Sequence, residues 1–219
     1  MIERVLETEV MDSVEESLAY ESMDHSTVNA AFVERLTQLG ASGRMLDLGT
    51  GPAQIPVLVC RRIADATVLA TDLASSMIEL AEQRVRSEGL VDRIELRRVD
   101  AKQLPFPSAS FDVVFSNTVL HHVPDPRPFL REAWRVLRPS GVFLVRDLRR
   151  PASEEALEAL VRLHTRTDTP SQRALFRASL NASFTRSELS SLVAELGIDA
   201  SIVESTDRHI SIERASSAL

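Results

Sequence analysis

Apolar runs of strand length alternate with stretches of helical periodicity between residues 44 and 147. Such alternation is typical of βαβ units, in which helices cover both faces of a parallel sheet. The apolar runs predict five strands, at 44–49, 67–72, 93–100, 111–117 and 141–147. Helices are predicted at about 53–64, 75–88 and 126–137. The expected core over 41–150 is therefore a doubly wound, Rossmann-like α/β sheet.

Two further regions flank this core. An amphipathic pattern that begins at Ser26, the expected helix cap, predicts an N-terminal helical cover over 1–40. Helical patterns over 151–198 predict an insert that roofs a substrate pocket between strands four and five. Two alternating segments then predict an antiparallel hairpin over 199–214, so that the sheet reaches seven strands. The 219 residues are expected to form one domain.

Composition restricts the classes of partner. The net charge of −7 gives no general attraction to a nucleic-acid backbone or an anionic membrane, so neither is an expected partner. No segment has the length of a membrane span and the acidic start lacks a signal-peptide core, which predicts a cytoplasmic protein. Cys60 is the single cysteine, and His164 and His209 have no metal-ligand spacing, so no metal site is expected.

The segment LDLGTGPAQ joins the first strand to the first core helix through a glycine-rich turn. Such a turn is typical of nucleotide sites, because bare glycine backbone and unpaired helix N–H groups let a ligand approach closely. The dinucleotide fingerprint requires a third glycine, and this chain has Gln54 at that position. A nicotinamide-dependent dehydrogenase is therefore a weakened alternative.

Three predicted strands end in acidic side chains, namely Asp47, Asp72 and Asp100. The carboxyl ends of parallel strands share one edge of the sheet, where open α/β folds bind ligands. Three carboxylates around one crevice would repel a pyrophosphate, so the ligand is expected to be neutral or cationic. A nucleoside with hydroxyls, an exocyclic amine and an attached positive charge satisfies all three acids, and S-adenosylmethionine has those groups.

Four segments in order carry a resemblance to a known family. They are LDLGTGPAQ, ATDLASSMIELA, VDAKQLPFPSASFDVVFSNTVLHHVPDP and EAWRVLRPSGVFLV, within residues 26–147. On these motifs the chain resembles the class I S-adenosylmethionine-dependent methyltransferases, especially the small-molecule type 11 or ubiquinone/menaquinone-biosynthesis-like group. The resemblance implies methyl transfer from S-adenosylmethionine to an O, N, C or S atom of a small-molecule acceptor, with S-adenosylhomocysteine as the other product.

The resemblance also implies where the cofactor binds. The matching positions are Tyr20, Asp47, Gly49, Thr50, Gly51, Asp72, Leu73, Asp100, Ala101 and Asn117. The acid and turn after the first strand are expected to surround the methionine end, which Asn117 also contacts. Asp72 is expected to bind the ribose hydroxyls, with Leu73 against adenine. Asp100 and Ala101 are expected to bind the adenine edge, and Tyr20 to close over the cofactor from the N-terminal cover.

The candidate catalytic residues are His121, His122 and Asp147. The two histidines follow strand four, in the loop that faces the transferred methyl group in this family, and either imidazole is a candidate general base. Asp147 and its neighbour Arg146 end strand five and are candidate contacts to the acceptor. Direct in-line displacement requires little acid–base chemistry, so an orienting role is the alternative. A cofactor-binding module without catalysis, and a homodimer, remain open.

Overall fold

The structure is a computed structural model that describes residues 2–7, 25–166 and 168–217. Its strands are β1 (Arg44–Leu48), β2 (Thr67–Asp72), β3 (Ile94–Arg98), β4 (Phe111–Asn117), β5 (Leu137–Leu148), β6 (Ser201–Glu204) and β7 (His209–Arg214). They form one sheet in the order β3-β2-β1-β4-β5-β7-β6. Strands β1 to β5 are parallel, whereas β7 pairs antiparallel with both β5 and β6. The order reverses between β1 and β4, which leaves a crevice beyond their carboxyl ends.

Helices cover both faces of this sheet. They are α1 (Ser26–Gln38), α2 (Gln54–Arg62), α3 (Ser75–Ser87), α4 (Pro126–Val136), α5 (Glu154–His164), α6 (Pro170–Ala182) and α7 (Arg186–Glu195), with a 3₁₀ turn over Leu120–His122. Helices α1 to α3 pack on the face that presents Met45 and Phe115, whereas α4 and α7 pack on the face that presents Leu46 and Val114. Because successive strand residues point to opposite faces, both faces of the central strands are apolar.

Helices α5 and α6 form a smaller cluster beyond the end of β5. Leu157 and Leu180 from these helices are buried with Leu148 of β5, and Ile2 packs against them. The N-terminal segment that contains Ile2 therefore packs against the helices that follow β5. None of the helices described is long and apolar enough to cross a membrane.

The predicted fold class is confirmed, with five parallel strands and the C-terminal antiparallel hairpin. Two details differ. Ser26 is already the first residue of α1, because the Asn29 N–H donates to the His25 carbonyl and closes the first turn one residue earlier. Asp100 does not close β3, which ends at Arg98 because its partner β2 ends opposite that residue. The predicted N-terminal cover lies partly outside the described residues.

Arg93, directly before β3, holds the loop that joins α2 to β2. Its guanidinium donates to the carbonyl oxygens of Cys60, Ile63 and Ala66, each at 2.7 Å. The Cys60 carbonyl is among the last of α2, which have no intrahelical partner, so the bond from Arg93 satisfies a group that would otherwise be unpaired. Since α2 begins at the glycine-rich turn, this contact fixes the helix that leads away from the crevice.

Replacing Arg93 with methionine is expected to lower the free energy of unfolding by about 2 kcal/mol, because partly buried carbonyls lose charge-assisted hydrogen bonds. Denaturant titration monitored by circular dichroism measures the change. Arg86→Met is the matched control, since Arg86 pairs with Glu82 on the exposed surface and its loss is expected to cost less than about 0.5 kcal/mol. Equal losses in the two variants would contradict the assignment.

Candidate functional site

A cavity opens beyond the carboxyl ends of β1, β2 and β4, at the reversal of strand order. The residues predicted from the sequence that line it are Asp47, Gly49, Thr50, Gly51, Asp72, Leu73, Asp100, Ala101, Asn117 and His122. Tyr20 lies outside the described residues. Segments far apart in the sequence therefore meet at one edge of the sheet, as the parallel topology requires.

The sequence pattern does not predict several other lining residues. Asn29 reaches the cavity from α1, and its Nδ2 donates to Oε1 of Gln54 at 2.9 Å. Lys102 enters from the loop after β3, and Met77, a residue expected only in the core, is buried and also lines the cavity. Lys102 directly follows Ala101, a predicted site residue, and this is a local signal that Lys102 also lines the cavity. Nothing in the local pattern predicts the approach of Asn29.

The glycine-rich turn is held against strand β2 and against the loop after β4. The N–H groups of Gly49 and Thr50 both donate to the Thr71 carbonyl, at 2.9 and 2.8 Å. Gly49 has a φ of +74°, and a Cβ atom on it would lie 2.4 Å from Cγ2 of Val119, in the loop after β4. Only glycine combines this backbone conformation with so close an approach. The turn after β1 is therefore pressed against the loop after β4.

Asp47 is a deeply buried acid that lines the cavity, with 2% of its surface exposed. Its Oδ2 and the Oγ1 of Thr50 have no hydrogen-bond partner among the described residues. Burial raises the pKa of Asp47 to about 8, while nearby Thr50 opposes the shift and the negative charge of Asp72 adds to it. Because a buried acceptor without a partner is costly, this oxygen marks a place for a ligand donor.

Asp72, at the end of β2, ties the glycine-rich turn to the start of α3. Its Oδ2 accepts the N–H of Gly51 at 2.8 Å, and its Oδ1 accepts the N–H of Ala74 at 2.9 Å. The carboxylate is thereby fixed at the wall of the cavity, between the turn after β1 and the first turn of α3. Its position is set by backbone groups, which makes it a rigid acceptor for ligand hydroxyls.

Asp100 lies in the loop after β3 and is the more exposed acid of the cavity. Its Oδ1 accepts the backbone N–H of Lys102 at 2.9 Å and lies 3.1 Å from the Nζ of the same lysine. Its side chain is 41% exposed. Lys102 thus partly neutralises the third carboxylate, a feature that the pattern of strand-ending acids does not show.

These side chains fit the ligand expected from the sequence. The unsatisfied Oδ2 of Asp47 matches a cationic ammonium donor, and the fixed carboxylate of Asp72 matches hydroxyl donors. A pyrophosphate would instead meet the negative charge of Asp72 at short range and would offer no cation to Asp47. The cavity therefore suits a cationic, phosphate-free nucleoside, and S-adenosylmethionine is one.

Of the three candidate catalytic residues, His122 alone lines the cavity within the described part of the chain. His121 is buried, with its Nδ1 2.6 Å from Oδ1 of Asp147 and its backbone N–H donating to Oδ2 at 2.7 Å. Burial lowers the pKa of His121, but the charge and hydrogen bond of Asp147 outweigh it and the pKa is raised. The pair therefore lies behind the cavity and holds the 3₁₀ turn.

Arg146 contacts Asn117 and helix α1. Its Nε donates to Oδ1 of Asn117 at 2.8 Å, and its Nη2 donates to the Val28 carbonyl at 3.0 Å. Burial lowers the pKa of Arg146 to about 10, which leaves the guanidinium charged at neutral pH. Neither Arg146 nor Asp147 is among the residues that line the cavity. Arg146 therefore orients Asn117 and fastens α1 to the sheet.

Comparison with known proteins bears on the region around this cavity. Residues 46–145 match the type 11 methyltransferase family, described as a methyltransferase domain. The 27-O-demethylrifamycin SV methyltransferase of Amycolatopsis mediterranei is 36% identical over 121 residues, which are 55% of this chain and 44% of that protein. The ubiquinone/menaquinone biosynthesis C-methyltransferase of Vibrio parahaemolyticus is 33% identical over 112 residues, 51% of this chain and 43% of that protein. The chain thus covers less than half of each of these relatives.

Solved structures share the fold at lower identity. A SAM-dependent methyltransferase from Aquifex aeolicus superimposes with a TM-score of 0.69 at 18% identity, covering 92% of this chain and 97% of that one. Phosphoethanolamine N-methyltransferase 2 of Haemonchus contortus, in complex with S-adenosyl-L-methionine, gives a TM-score of 0.67 at 23% identity, covering 89% of this chain and 44% of that one.

The chain shares its fold with solved S-adenosylmethionine-dependent methyltransferases, and its cavity lies at the carboxyl edge of the sheet. Residues 46–145, just under half of the chain, match the model of the type 11 methyltransferase family. The resemblance carried by the four sequence motifs is thereby confirmed.

Gly49→Ala is expected to destabilise the protein by two separate effects. The left-handed backbone costs about 1–2 kcal/mol for alanine, and the new Cβ also collides with Val119. Gly197→Ala is the matched control, because Gly197 has a φ of +62° but nothing within 4 Å of an added Cβ.

Denaturant titration should show a larger loss for Gly49→Ala than for Gly197→Ala. Adding Val119→Ala should remove most of the difference, since it removes the two colliding methyl groups, leaves only a Cβ contact at 3.2 Å and keeps the backbone strain. If Gly49→Ala cost as much free energy of unfolding in the Val119→Ala background as in the wild type, the close approach would not be the cause of the loss.

Proposed function

We propose that the chain binds S-adenosylmethionine in this cavity and transfers its methyl group to a small-molecule acceptor, releasing S-adenosylhomocysteine. The observation that carries the proposal is the buried Oδ2 of Asp47, which has no hydrogen-bond partner among the described residues. The ammonium group of the methionine end satisfies that oxygen and favours the ionised carboxylate. The family match of residues 46–145 supports the same assignment.

The order of the three acids across the sheet supports one orientation of the cofactor. Asp47 belongs to β1, Asp72 ends β2 and Asp100 follows β3, and these strands are neighbours in that order. The cofactor is likewise linear, from methionine through ribose to adenine. We assign the methionine end to Asp47 and the turn at 49–51, and the ribose hydroxyls to Asp72.

The remaining assignments follow from the same orientation. Adenine lies against Leu73, with its edge at Asp100 and Ala101, and Asn117 contacts the methionine end. Because Arg146 fixes Oδ1 of Asn117, the amide is held in one orientation at the cavity wall. The closing role of Tyr20 stays a prediction, since this residue lies outside the described part of the chain.

The acceptor side is assigned to the loop after β4. His122 lines the cavity there and either orients the acceptor or accepts its proton. Asp147 accepts two hydrogen bonds from His121, so this pair positions the turn that carries His122. We therefore assign positioning roles to His121 and Asp147.

The chemistry requires alignment more than acid–base catalysis. When bound, S-adenosylmethionine supplies a methyl group on a sulfonium centre that a nucleophile displaces in line. The chain binds the cofactor in a fixed orientation, holds the acceptor against it and excludes water. The segment 151–198 is proposed as the substrate roof, because the carbonyls of Ala182, at the end of α6, and His121 both accept hydrogen bonds from Arg4.

The acceptor is proposed to be a small organic molecule attacked at O, N, C or S. The relatives named for O- and C-methylation favour the first and third of these atoms. The net charge of −7 supports an acceptor other than nucleic acid. A cytoplasmic location and a homodimer remain predictions from the sequence.

Asp72→Asn is expected to weaken binding of S-adenosylhomocysteine by about 1–3 kcal/mol, because the charge that accepts the ribose hydroxyls is lost. Asparagine keeps an acceptor oxygen near the backbone N–H groups of Gly51 and Ala74, so the turn is preserved better than by alanine. Isothermal titration calorimetry measures the affinity. Asp92→Asn, an exposed change of the same type, should bind like the wild type.

Methyl transfer is then measured from radiolabelled S-adenosylmethionine to a panel of hydroxylated, quinone and amine metabolites. Transfer by the wild type that is reduced in Asp72→Asn at limiting cofactor supports the proposal. Unchanged affinity in Asp72→Asn would contradict the cofactor assignment. Tight binding without transfer to any acceptor would favour the cofactor-binding module.

Binding of S-adenosylhomocysteine at pH 7 is expected to release a proton from Asp47. The carboxyl has a pKa of about 8 without ligand and is therefore mainly protonated at pH 7. The ligand's ammonium lowers that pKa, so the proton leaves on binding. Calorimetry in two buffers of different ionisation enthalpy measures the release, which should decline above about pH 9, where Asp47 is already ionised. Equal enthalpies in both buffers at pH 7 would contradict the assignment.

A further inference from the structure

Glu7 meets His121 and His122 beside the cavity, although 114 positions separate the first two in the sequence. The Oε2 atom of Glu7 lies 3.6 Å from Nε2 of His121 and 3.4 Å from Nδ1 of His122. One atom from each side chain can act as a metal ligand, and these three atoms lie within 4.8 Å of one another. Two imidazoles and one carboxylate are the donors of many sites for first-row divalent cations.

The partners behind the cluster are those expected around metal-binding histidines. Nδ1 of His121 lies 2.6 Å from Oδ1 of Asp147, which fixes the ring and directs Nε2 towards Glu7. A carboxylate on the far nitrogen of a ligating histidine is a recurring feature of metal sites. Glu7 is itself held by the Oγ of Ser179, which lies 3.2 Å from Oε1 and 3.3 Å from Oε2.

Arg4 holds the segment that carries Glu7 in place. Its Nη2 donates to the carbonyls of His121 and Val123 at 3.1 and 3.0 Å, and its Nε donates to the Ala182 carbonyl at 2.6 Å. The guanidinium also lies 3.9 Å from the centre of the Phe184 ring. The bonds from Arg4 therefore hold the segment 2–7 so that Glu7 lies beside the two histidines.

The spacing within the cluster differs from that of direct hydrogen bonds. Charge-assisted bonds between imidazole and carboxylate have N–O distances of about 2.7–2.9 Å, and the His121–Asp147 pair is even shorter. The two distances from Glu7, 3.4 and 3.6 Å, are longer. Bond lengths of about 2.1 Å place neighbouring ligand atoms of zinc about 2.9–3.4 Å apart. Glu7 is thus spaced from the histidines much as one metal ligand is from another.

We propose that Glu7, His121 and His122 form a binding site for a first-row divalent cation of the zinc type, next to the cofactor cavity. The donors are Oε2 of Glu7, Nε2 of His121 and Nδ1 of His122. The three ligand atoms lie within 4.8 Å of one another, so binding of one cation requires the partly exposed His122 ring to rotate until its nitrogen approaches that of His121. Imidazole donors favour zinc and neighbouring transition metals over magnesium or calcium.

Three protein ligands leave coordination positions for water or an acceptor oxygen. His122 lines the cavity, so these positions lie at the acceptor side. The bound cation orients an oxygen-bearing acceptor there, and His122 then serves as a ligand. The site stands on the geometry of its own side chains and does not require the proposed methyl transfer.

Zinc titration of the tag-free, full-length chain, in competition with a chromophoric chelator, tests the proposal. We expect one equivalent to bind to the wild type, and Glu7→Gln and His122→Asn each to weaken binding by at least about tenfold. Glu3→Gln and His164→Asn are the matched controls, on the same N-terminal segment and on a distant histidine, and should bind like the wild type. Circular dichroism of each variant in the presence of a chelator establishes that it is folded.

Cobalt substitution gives a second measurement. Visible absorption bands of Co²⁺ with nitrogen and oxygen ligands should appear in the wild type and be lost in folded Glu7→Gln. Absence of stoichiometric zinc binding, or equal affinity in wild type and Glu7→Gln, would overturn the proposal and assign the cluster to a protonated histidine network. Repeating the titration with S-adenosylhomocysteine separates the two proposals, because failure to bind this ligand contradicts only the proposed function.

Discussion

The close approach of Gly49 to Val119 is the constraint on which the site depends. A side chain at position 49 would push apart the loops after β1 and β4, since even a Cβ atom would lie 2.4 Å from the valine methyl group. With glycine there, the turn after β1 and the 3₁₀ turn after β4 form the two sides of one narrow crevice. Asp47 lies on one side and His122 on the other. The two walls of the cavity are thereby brought together by the contact of one glycine with one valine side chain.

The place of Asp47 in the central strand β1 explains why it is so deeply buried. The acid lies between neighbouring strands, opposite Ala70 and Phe115, and water has little access to it. Its pKa is consequently raised to about 8, so the protein carries a proton where a cationic ligand belongs. Exchange of that proton for an ammonium group costs less than ionising the acid without a partner. At neutral pH a cationic ligand therefore binds with loss of that proton, and its attraction to the carboxylate has to exceed the cost of ionising the acid.

Much of this architecture could be predicted from local patterns, because strand burial and helical periodicity are short-range properties. The positions of Asp47 and Asp72 at the cavity can also be predicted from the sequence, since the carboxyl ends of parallel strands must share an edge. The prediction was wrong for the place of Asp100, because where β3 ends depends on the length of its partner β2.

Residues brought in by tertiary contacts leave no local pattern. Asn29 enters the cavity from a helix outside the matched family region, and Glu7 reaches the histidines across 114 positions. The sequence pattern also gives no means of telling the role of His121 from that of His122. In the structure, one lines the cavity and the other is bonded to Asp147.

The pairing of β1 with β4 has a consequence for folding as well as for binding. Strands β1 to β3 are neighbours both in the chain and in the sheet, whereas Leu48 meets Ser116 across 68 positions. Closing that long loop costs conformational entropy that the local β1–β3 unit does not carry. This entropy cost opposes the pairing of β1 with β4, which forms the crevice. A ligand that bridges its two sides therefore stabilises this long-range contact of the folded chain, and couples occupancy to global stability by mass action.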